Sequence, residues 1–417
     1  MANGVLVAQA VPARPHRTRS AAPTREWAVV RVEDVVATVL QRSPCHDPHA
    51  PCTQESCERI TGHGKVRSTA KRAPVQVPVI DVSGLRARGP SREACARLID
   101  SACRDVGFFA IVGHGVHEDL QRRLERGARD FFARASAEKM RISMERGGAA
   151  WRGYFPVGAE LTSGIPDRKE GLYFGEELAD DDERVVARTP LHGKNLFPDG
   201  DADFRDAVLS YMESMTSLGR TLLEGIALGL GLSSSAFADR LTARPLTLFR
   251  IFNYPAGGTT EDQWGVGEHT DYGLLTILAQ DGAGGLQVRT GRAWVDVPAL
   301  AGTLVCNIGD MLERLTRGRY RSTPHRVRNT SGRDRLSFPF FFDPGFDAVP
   351  APLDLAAADG AEVTYDRRWD GESVHDLTVR TYGEYVMRKV GRVFPALRAT
   401  IEPEAPCLRE RGNPTWD

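Results

Sequence analysis

The chain has 417 residues, with 54 Lys and Arg against 55 Asp and Glu, so its formal net charge is −1. A balanced charge provides no attraction for nucleic acid or for an anionic membrane surface, and we expect neither as a partner. No apolar run approaches the roughly 20 residues that cross a bilayer, and residues 5–8 are too short for the apolar part of a signal peptide. The seven Cys do not have the spacing of a disulfide framework, which favours a reducing compartment.

Residues 1–75 differ from the rest in composition and are predicted to be a disordered N-terminal extension. They hold eleven Lys and Arg against six Asp and Glu, are rich in Pro, Ala and Thr, and have few aromatic residues. Residues 27–40 have apolar side chains at helical steps, which is typical of a short amphipathic helix. The extension also contains a cluster of residue types that bind zinc, namely Cys45, His46, His49, Cys52 and Cys57. A zinc-linked interaction module therefore remains an alternative to an extension without metal.

The compact part is predicted to begin at residue 76, with alternating strands and helices up to residue 240. The pattern predicts a strand at 77–82, a helix at 91–105, a strand at 108–112, and a helix from 117 to about 134. Ser91 is the expected N-cap of the first helix, whose buried face would contain Ala94, Leu98 and Ala102. His114 lies between two glycines and is interpreted as a structural turn residue.

A long helix and a run of short strands follow. Residues 201–231 have Met and Leu side chains spaced by three and four, which predicts a helix packed against the core. From residue 246 to 346, short strands alternate with Gly-rich turns, as an all-β core requires. Residues 347–417 form a C-terminal segment, and 376–398 have the apolar spacing of a helix that packs back on the core.

Three metal-binding residue types occur in the β-rich part: His269, Asp271 and His325. In an extended segment, residues i and i+2 point to one side, so His269 and Asp271 can reach the same ion. Two imidazoles and one carboxylate on one face of an ion leave the opposite face open, which is typical of non-haem Fe(II) sites that activate oxygen. His117 and Asp119 repeat the spacing on a predicted helix, where they diverge, so this copy is interpreted as chance.

Arg335 and Ser337 follow the second His, again at positions i and i+2 of a predicted strand. They therefore share a face. A guanidinium fork beside a hydroxyl is suited to holding a carboxylate. Iron together with a carboxylate clamp indicates an oxygenase with an organic-acid co-substrate.

Residues 77 to about 345 resemble the isopenicillin N synthase-like family of Fe(II)/2-oxoglutarate-dependent oxygenases. The matching stretches occur in the order of the family: 77–81, 107–116, 253–255, 269–273, 284–288, 307–310 and 335–337. The resemblance implies an α+β fold that is mainly β, with a distorted double-stranded β-helix, or jelly-roll, core and peripheral helices. It also implies that Tyr254 adds a hydroxyl to the pocket in which Arg335 and Ser337 hold the far carboxylate of 2-oxoglutarate.

The same resemblance implies the reaction. Fe(II) held by the two His and the Asp would use O2 to convert 2-oxoglutarate to succinate and CO2, while a C–H bond of the substrate is oxidised. Hydroxylation is the expected outcome, with desaturation and ring formation as variants.

The sequence specifies the substrate only by its general class. We expect a small or medium polar metabolite in a pocket whose walls include Tyr173, Phe174, Arg250, Phe252, Leu275 and Phe340. Residues 160–175 are predicted to be a long loop, and its charged centre is either a lid over the site or a solvated turn.

Two further alternatives remain for the function. An oxidase of the same fold that does not use 2-oxoglutarate would also carry Arg335 and Ser337, and release of succinate distinguishes the two. A binding protein with a decayed site is disfavoured by the complete set of ligands, and failure to bind Fe(II) would support it. We take a cytoplasmic monomer as the default expectation.

Overall fold

The computed structural model describes residues 76–257, 264–355, 371, 373–375 and 378–395. Within these residues, twelve strands form two sheets, and helices pack around them. All of them belong to one compact unit, residues 71–417, so the predicted divisions at 240 and 346 lie inside it. The predicted helix at 27–40 and the cluster from Cys45 to Cys57 lie outside the described residues.

The larger sheet has eight strands in the order β1-β2-β10-β7-β12-β5-β4-β3. In chain order these strands are β1 (Val79–Asp81), β2 (Phe108–Val112), β3 (Gly153–Phe155), β4 (Glu170–Gly175), β5 (Leu246–Tyr254), β7 (Leu275–Gln280), β10 (Leu304–Ile308) and β12 (Arg335–Asp343). All neighbouring pairs are antiparallel except β1 with β2.

The smaller sheet has four antiparallel strands in the order β6-β11-β8-β9. They are β6 (Val266–His269), β8 (Leu286–Thr290), β9 (Ala293–Val297) and β11 (His325–Val327). Side chains of both sheets line one cavity, so the two sheets enclose it between them. This two-sheet core with outer helices confirms the predicted α+β jelly-roll class.

Eight α-helices are described, and the longest of them packs on the outer face of the larger sheet. They are α1 (Pro90–Asp105), α2 (Glu118–Phe132), α3 (Ser136–Lys139), α4 (Glu183–Val186), α5 (Ala202–Gly229), α6 (Ala236–Arg240), α7 (Asp310–Leu315) and α8 (Tyr382–Val393). The ring of Tyr211 on α5 lies 5.1 Å from that of Phe249 on β5. The α5 backbone comes so close to the sheet at Gly219 that an added Cβ would lie 2.6 Å from the Phe342 ring. The prediction of a core-packing helix at 201–231 is therefore confirmed.

Some local predictions were wrong. Helix α1 begins at Pro90, and Gly89 is its N-cap, so Ser91 lies inside the helix and is not the cap. Proline is favoured at the first helical position because its φ angle already suits a helix and the N–H that it lacks would have no partner there. Its buried face contains Cys95, Ile99 and Ala102, whereas Leu98 is exposed. The C-terminal helix is shorter than predicted, and it begins after Thr381, whose hydroxyl accepts from the backbone N–H of Glu384.

Other local predictions were confirmed. His114 is buried in its turn, where Nδ1 accepts from the Val116 backbone N–H at 3.1 Å and Nε2 lies 3.3 Å from the Gly302 oxygen. The described cysteines, Cys95, Cys103 and Cys306, are buried and free.

Candidate active site

The sheet pairing brings the two predicted histidine ligands face to face. His269 is the last residue of β6, His325 is the first residue of β11, and the two are direct partners in the antiparallel pair. Their ring centroids are 4.2 Å apart. Asp271 was expected on a strand, but it lies beyond the end of β6, in the segment that leads to β7. One ligand atom from each of the three residues lies within 4.8 Å of the other two. We call these three residues the triad.

Backbone carbonyls orient both imidazoles. Nδ1 of His269 lies 2.8 Å from the Gly267 oxygen, and Nδ1 of His325 lies 3.2 Å from the Thr323 oxygen. A carbonyl can only accept, so each Nδ1 carries the proton and each Nε2 keeps its lone pair for a metal. Both Nε2 atoms lie 3.8 Å from Oδ1 of Asp271, which places the three free donors on one side.

The other oxygen of the Asp271 carboxylate is fixed by two donors. The Thr276 hydroxyl donates to Oδ2 at 2.5 Å, and the Asn307 amide donates to it at 2.7 Å. Oδ1 is therefore left to face the histidines. The prediction did not include Thr276 and Asn307, although both occupy strands next to the ligand and carry short polar side chains among apolar neighbours.

The charge states of the triad suit a cation. Burial, together with the neighbouring His325, lowers the pKa of His269 to about 3, so its imidazole is neutral at physiological pH. Burial alone would raise the pKa of Asp271, but the two imidazoles and the hydrogen bonds from Asn307 and Thr276 outweigh it, and the pKa is lowered. Two imidazoles and one carboxylate are the donor set that non-haem Fe(II) takes.

A buried cation, Arg335, lines the same cavity. Arg335 is 0% exposed and is the first residue of β12. It is the direct partner of Tyr254 on the neighbouring strand β5. Its Nε donates to the Gly284 oxygen at 2.6 Å and its Nη2 to Oε1 of Gln280 at 3.1 Å. Its Nη1 is buried without a hydrogen-bond partner among the described residues. A buried donor of a charged group is costly to leave unpaired, so this atom fits an anionic ligand.

Two hydroxyls accompany Arg335 at this end of the cavity. Ser337 follows two residues later on the same face of β12, and its Oγ lies 3.3 Å from the Tyr254 hydroxyl. The guanidinium carbon of Arg335 lies 4.7 Å from the centre of the Tyr254 ring. The structure thus brings together all three residues that were expected to hold the co-substrate carboxylate.

The space between the lining side chains, together with adjoining space that is open to solvent, amounts to about 970 Å³. Alternation along the strands decides which side chains line it. From β5 and β12 the cavity receives Leu248, Arg250, Phe252, Tyr254, Arg335, Ser337, Pro339, Phe341 and Asp343. Helix α8 contributes Val386 and Val390, so the C-terminal segment forms part of the wall.

Four of the six predicted substrate residues do not line this cavity. Arg250 and Phe252 line it, and Tyr173 is paired with Arg250 on the adjacent strand β4. Phe174, Leu275 and Phe340 occupy positions of the opposite parity on their strands and are buried in the outer core. Phe174, for example, stacks on Phe197 and Phe249. These residues were predicted from their strand and loop positions near the mouth of the core, but the register placed the three side chains behind the sheet.

Residues 160–175 are neither a lid loop nor a solvated turn over their whole length, because 170–175 form strand β4. Their charged centre is buried: Lys169 is 1% exposed and pairs with Asp167 at 2.5 Å and with Glu160 at 2.8 Å. Glu160, Thr162 and Lys169 line the cavity. The alternation of Asp167 and Lys169 just before an apolar strand was a signal for a shared inward face.

Comparisons with known proteins agree with this geometry. The sequence profile of the 2OG-Fe(II) oxygenase superfamily matches residues 246–344. The profile described as non-haem dioxygenase in morphine synthesis N-terminal matches residues 77–200. The chain belongs to the 2OG-Fe(II) oxygenase superfamily, as the resemblance in the sequence indicated.

The chain aligns with nearly the full length of individual relatives. A Dictyostelium discoideum protein named as an iron/ascorbate oxidoreductase is 46% identical over 352 residues, which cover 78% of this chain and 97% of the relative. A homoarginine-6-hydroxylase of Arabidopsis thaliana is 35% identical over 332 residues, covering 76% and 97%. The crystal structure of a Neurospora crassa protein in complex with alpha-KG and thymine has a TM-score of 0.62 at 24% identity, covering 77% and 97%, and supports the fold.

The protein is therefore a non-haem Fe(II)- and 2-oxoglutarate-dependent dioxygenase that oxidises a small molecule. The expected cofactor, co-substrate and enzyme class are confirmed. In the described part of the chain, no helix has both the length and the apolar character needed to cross a membrane.

Proposed function

We propose that the triad holds the iron and that Arg335, Ser337 and Tyr254 bind the C5 carboxylate of 2-oxoglutarate. The observation that supports the second assignment is the buried Nη1 of Arg335, which has no acceptor in the described protein. Its Nε and Nη2 are held by Gly284 and Gln280, so the guanidinium cannot turn away. A carboxylate would accept from Nη1 and from the Ser337 hydroxyl together.

The residues around the triad have defined tasks in the reaction. When bound, the Fe(II) activates O2 and couples the decarboxylation of 2-oxoglutarate to oxidation of a substrate C–H bond. Gly267 and Thr323 keep the imidazole protons on Nδ1, and Thr276 and Asn307 prevent rotation of the Asp271 carboxylate. Apolar walls such as Val266, Leu286 and Val327 exclude water near the ligands.

We propose hydroxylation as the default outcome, with desaturation and ring formation as variants that depend on the substrate. The relevant experiment incubates the Fe(II) enzyme with O2, 2-oxoglutarate and a metabolite pool, and records succinate and mass changes of one oxygen or two hydrogens. Because one relative is named for ascorbate, parallel incubations contain ascorbate with and without 2-oxoglutarate. Asp271→Ala is the matched inactive control.

Succinate formed in proportion to product, and only with 2-oxoglutarate, is the expected result. Product formation without 2-oxoglutarate would instead identify the second candidate, an oxidase of the same fold. Neither product nor succinate, together with failure to bind Fe(II), would support a binding protein.

We also propose that the enzyme acts as a monomer in the cytoplasm, without nucleic acid or membrane partners. In support, the triad and the cavity walls come from one chain, and the three described cysteines are free thiols. Sedimentation analysis of the iron-loaded protein tests the oligomeric state.

A further inference from the structure

A second arginine, largely but not fully buried, faces the cavity from the middle of β5. Arg250 shares its strand face with Phe252 and Tyr254 and lines the cavity, and its side chain is 14% exposed. Its guanidinium carbon lies 4.2 Å from the centre of the Tyr173 ring and 4.9 Å from that of Phe341. The two rings contact the guanidinium but accept no ordinary hydrogen bond, so the N–H groups along its edge remain available for a ligand.

Arg250 lacks the hydrogen bonds that a largely buried guanidinium needs. Its only ionic contact among the described residues is 3.5 Å long, from Nη1 to Oε1 of Glu160, and its Nε is buried without an acceptor. Arg152, which is also buried, donates instead to Ala150, Leu191 and Asn195 at 2.6 to 3.1 Å. The fold thus satisfies a structural arginine fully and leaves Arg250 unsatisfied.

Glu160 cannot be the dedicated partner of Arg250, because other groups hold its carboxylate more closely. The Lys169 ammonium lies 2.8 Å from Oε2, and the Tyr173 hydroxyl donates to Oε1 at 2.6 Å. Burial alone would raise the pKa of Glu160, but Lys169 and Arg250 outweigh it and lower the pKa, so Glu160 is ionised. These contacts fix the position of Glu160 and leave the donors of Arg250 open toward the cavity.

We propose that the substrate carries a carboxylate and that Arg250 binds it through its guanidinium fork. This inference rests on the proposed function, since it specifies the substrate class of the same cavity. The enzyme then has two separate carboxylate sites on neighbouring strands, Arg335 on β12 for the co-substrate and Arg250 on β5 for the substrate. The bound carboxylate fixes one end of the substrate and directs another part of it toward the triad.

The test measures binding to the anaerobic Fe(II) enzyme with saturating 2-oxoglutarate. A panel of amino acids and simple carboxylic acids, including L-homoarginine, is titrated beside the matched carboxamides, with thymine as an uncharged compound. Calorimetry and the visible charge-transfer absorption of the Fe(II)–2-oxoglutarate complex report binding without turnover. At least one acid is expected to bind more tightly than its amide by about a hundredfold, the effect of a lost buried charge partner.

Variants assign the preference to Arg250. Arg250→Met should remove the preference of acid over amide, and Arg250→Lys should retain part of it, because an ammonium keeps the charge but not the fork. Arg122→Met is the matched control, since Arg122 pairs with Glu118 and Asp119 on the exposed side of α2, and with no other acid in the described part of the chain. If Arg250→Met does not fold, the test uses Arg250→Lys instead. The preference for acid over amide should then be weaker in Arg250→Lys than in Arg122→Met.

The outcomes separate this inference from the proposed function. Equal binding of every acid and its amide by the wild type, or a full acid preference in Arg250→Met, would overturn the inference while 2-oxoglutarate still binds and yields succinate. If 2-oxoglutarate itself does not bind, the proposed function fails. In that case the acids and amides are titrated into the Fe(II) enzyme without 2-oxoglutarate. Loss of the preference for acid over amide in Arg250→Met again assigns carboxylate binding to Arg250.

Discussion

Replacing Arg335 with Gln should weaken 2-oxoglutarate binding by about two orders of magnitude. In the structure, Arg335 is 0% exposed, and two of its five N–H groups are used by Gly284 and Gln280. The buried Nη1 remains for the ligand. Removing one partner of a buried ion pair costs about 3 to 5 kcal/mol, and the lower value corresponds to about a hundredfold in Kd.

The same change should be visible as lost stabilisation by the ligand. At a 2-oxoglutarate concentration of about 100 times the wild-type Kd, the ligand stabilises the folded protein by about 2.7 kcal/mol. In Arg335→Gln that concentration only equals the new Kd, so the stabilisation falls to about 0.4 kcal/mol. Arg335→Lys should lie between the two, because it keeps the charge without the planar fork.

The assay combines calorimetric titration of 2-oxoglutarate into the Fe(II) protein with thermal unfolding at fixed ligand concentration. Iron affinity is the internal control and should not change, because Arg335 is not a ligand. The reasoning is refuted if Arg335→Gln binds 2-oxoglutarate as tightly as the wild type, or if it loses iron and 2-oxoglutarate together.

The remaining predictions concern the metal, the sheet register, a buried acid and the N-terminal extension. Substitution of any triad residue by Ala should abolish stoichiometric Fe(II) binding in a metal titration, whereas His117→Ala should bind iron normally. On β12, Phe340→Ala should lower the free energy of unfolding by about 3 to 5 kcal/mol, because Phe340 is 0% exposed in the core; Phe341→Ala, on the cavity face, should change substrate kinetics more than stability. Burial raises the pKa of Asp343 to about 7, from about 3.9 in the unfolded chain, so the folded state binds this proton more tightly. The metal-free wild type should therefore lose about 3 kcal/mol of stability between pH 4 and pH 7 that Asp343→Asn does not lose, as measured by urea unfolding at both pH values. Deletion of residues 1–70, which have too few apolar residues to join a core, should leave the melting temperature and turnover nearly unchanged.

The chemistry of the site was easier to predict than its walls. The triad and Arg335 could be found because their order, spacing and predicted strand context together fit a metal site followed by a carboxylate clamp. The i, i+2 rule placed Arg335 and Ser337 on one face correctly, since both lie on a strand. It also predicted that His269 and Asp271 lie together, which the structure shows even though Asp271 follows the end of β6.

The cavity walls depend on register, which the composition of one strand does not specify. Phe340 and Phe341 are adjacent and chemically identical, yet one packs behind the sheet and the other lines the cavity. A shift of one residue would exchange them. Likewise, the charges around Lys169 had the composition of a solvated turn, and only long-range pairing with Glu160 shows that they are buried.

The position of α8 has a consequence for synthesis of the enzyme. Val386 and Val390 complete the cavity wall, and the Tyr382 hydroxyl donates to Asp343 at 2.7 Å. These residues follow the last strand by about forty positions, so a ribosome makes all the iron ligands before it makes this wall. A nascent chain could thus gather its metal-binding residues while the chamber is still open to water. The finished chamber, and with it the protection of reactive chemistry from solvent, forms only after α8 has been synthesised.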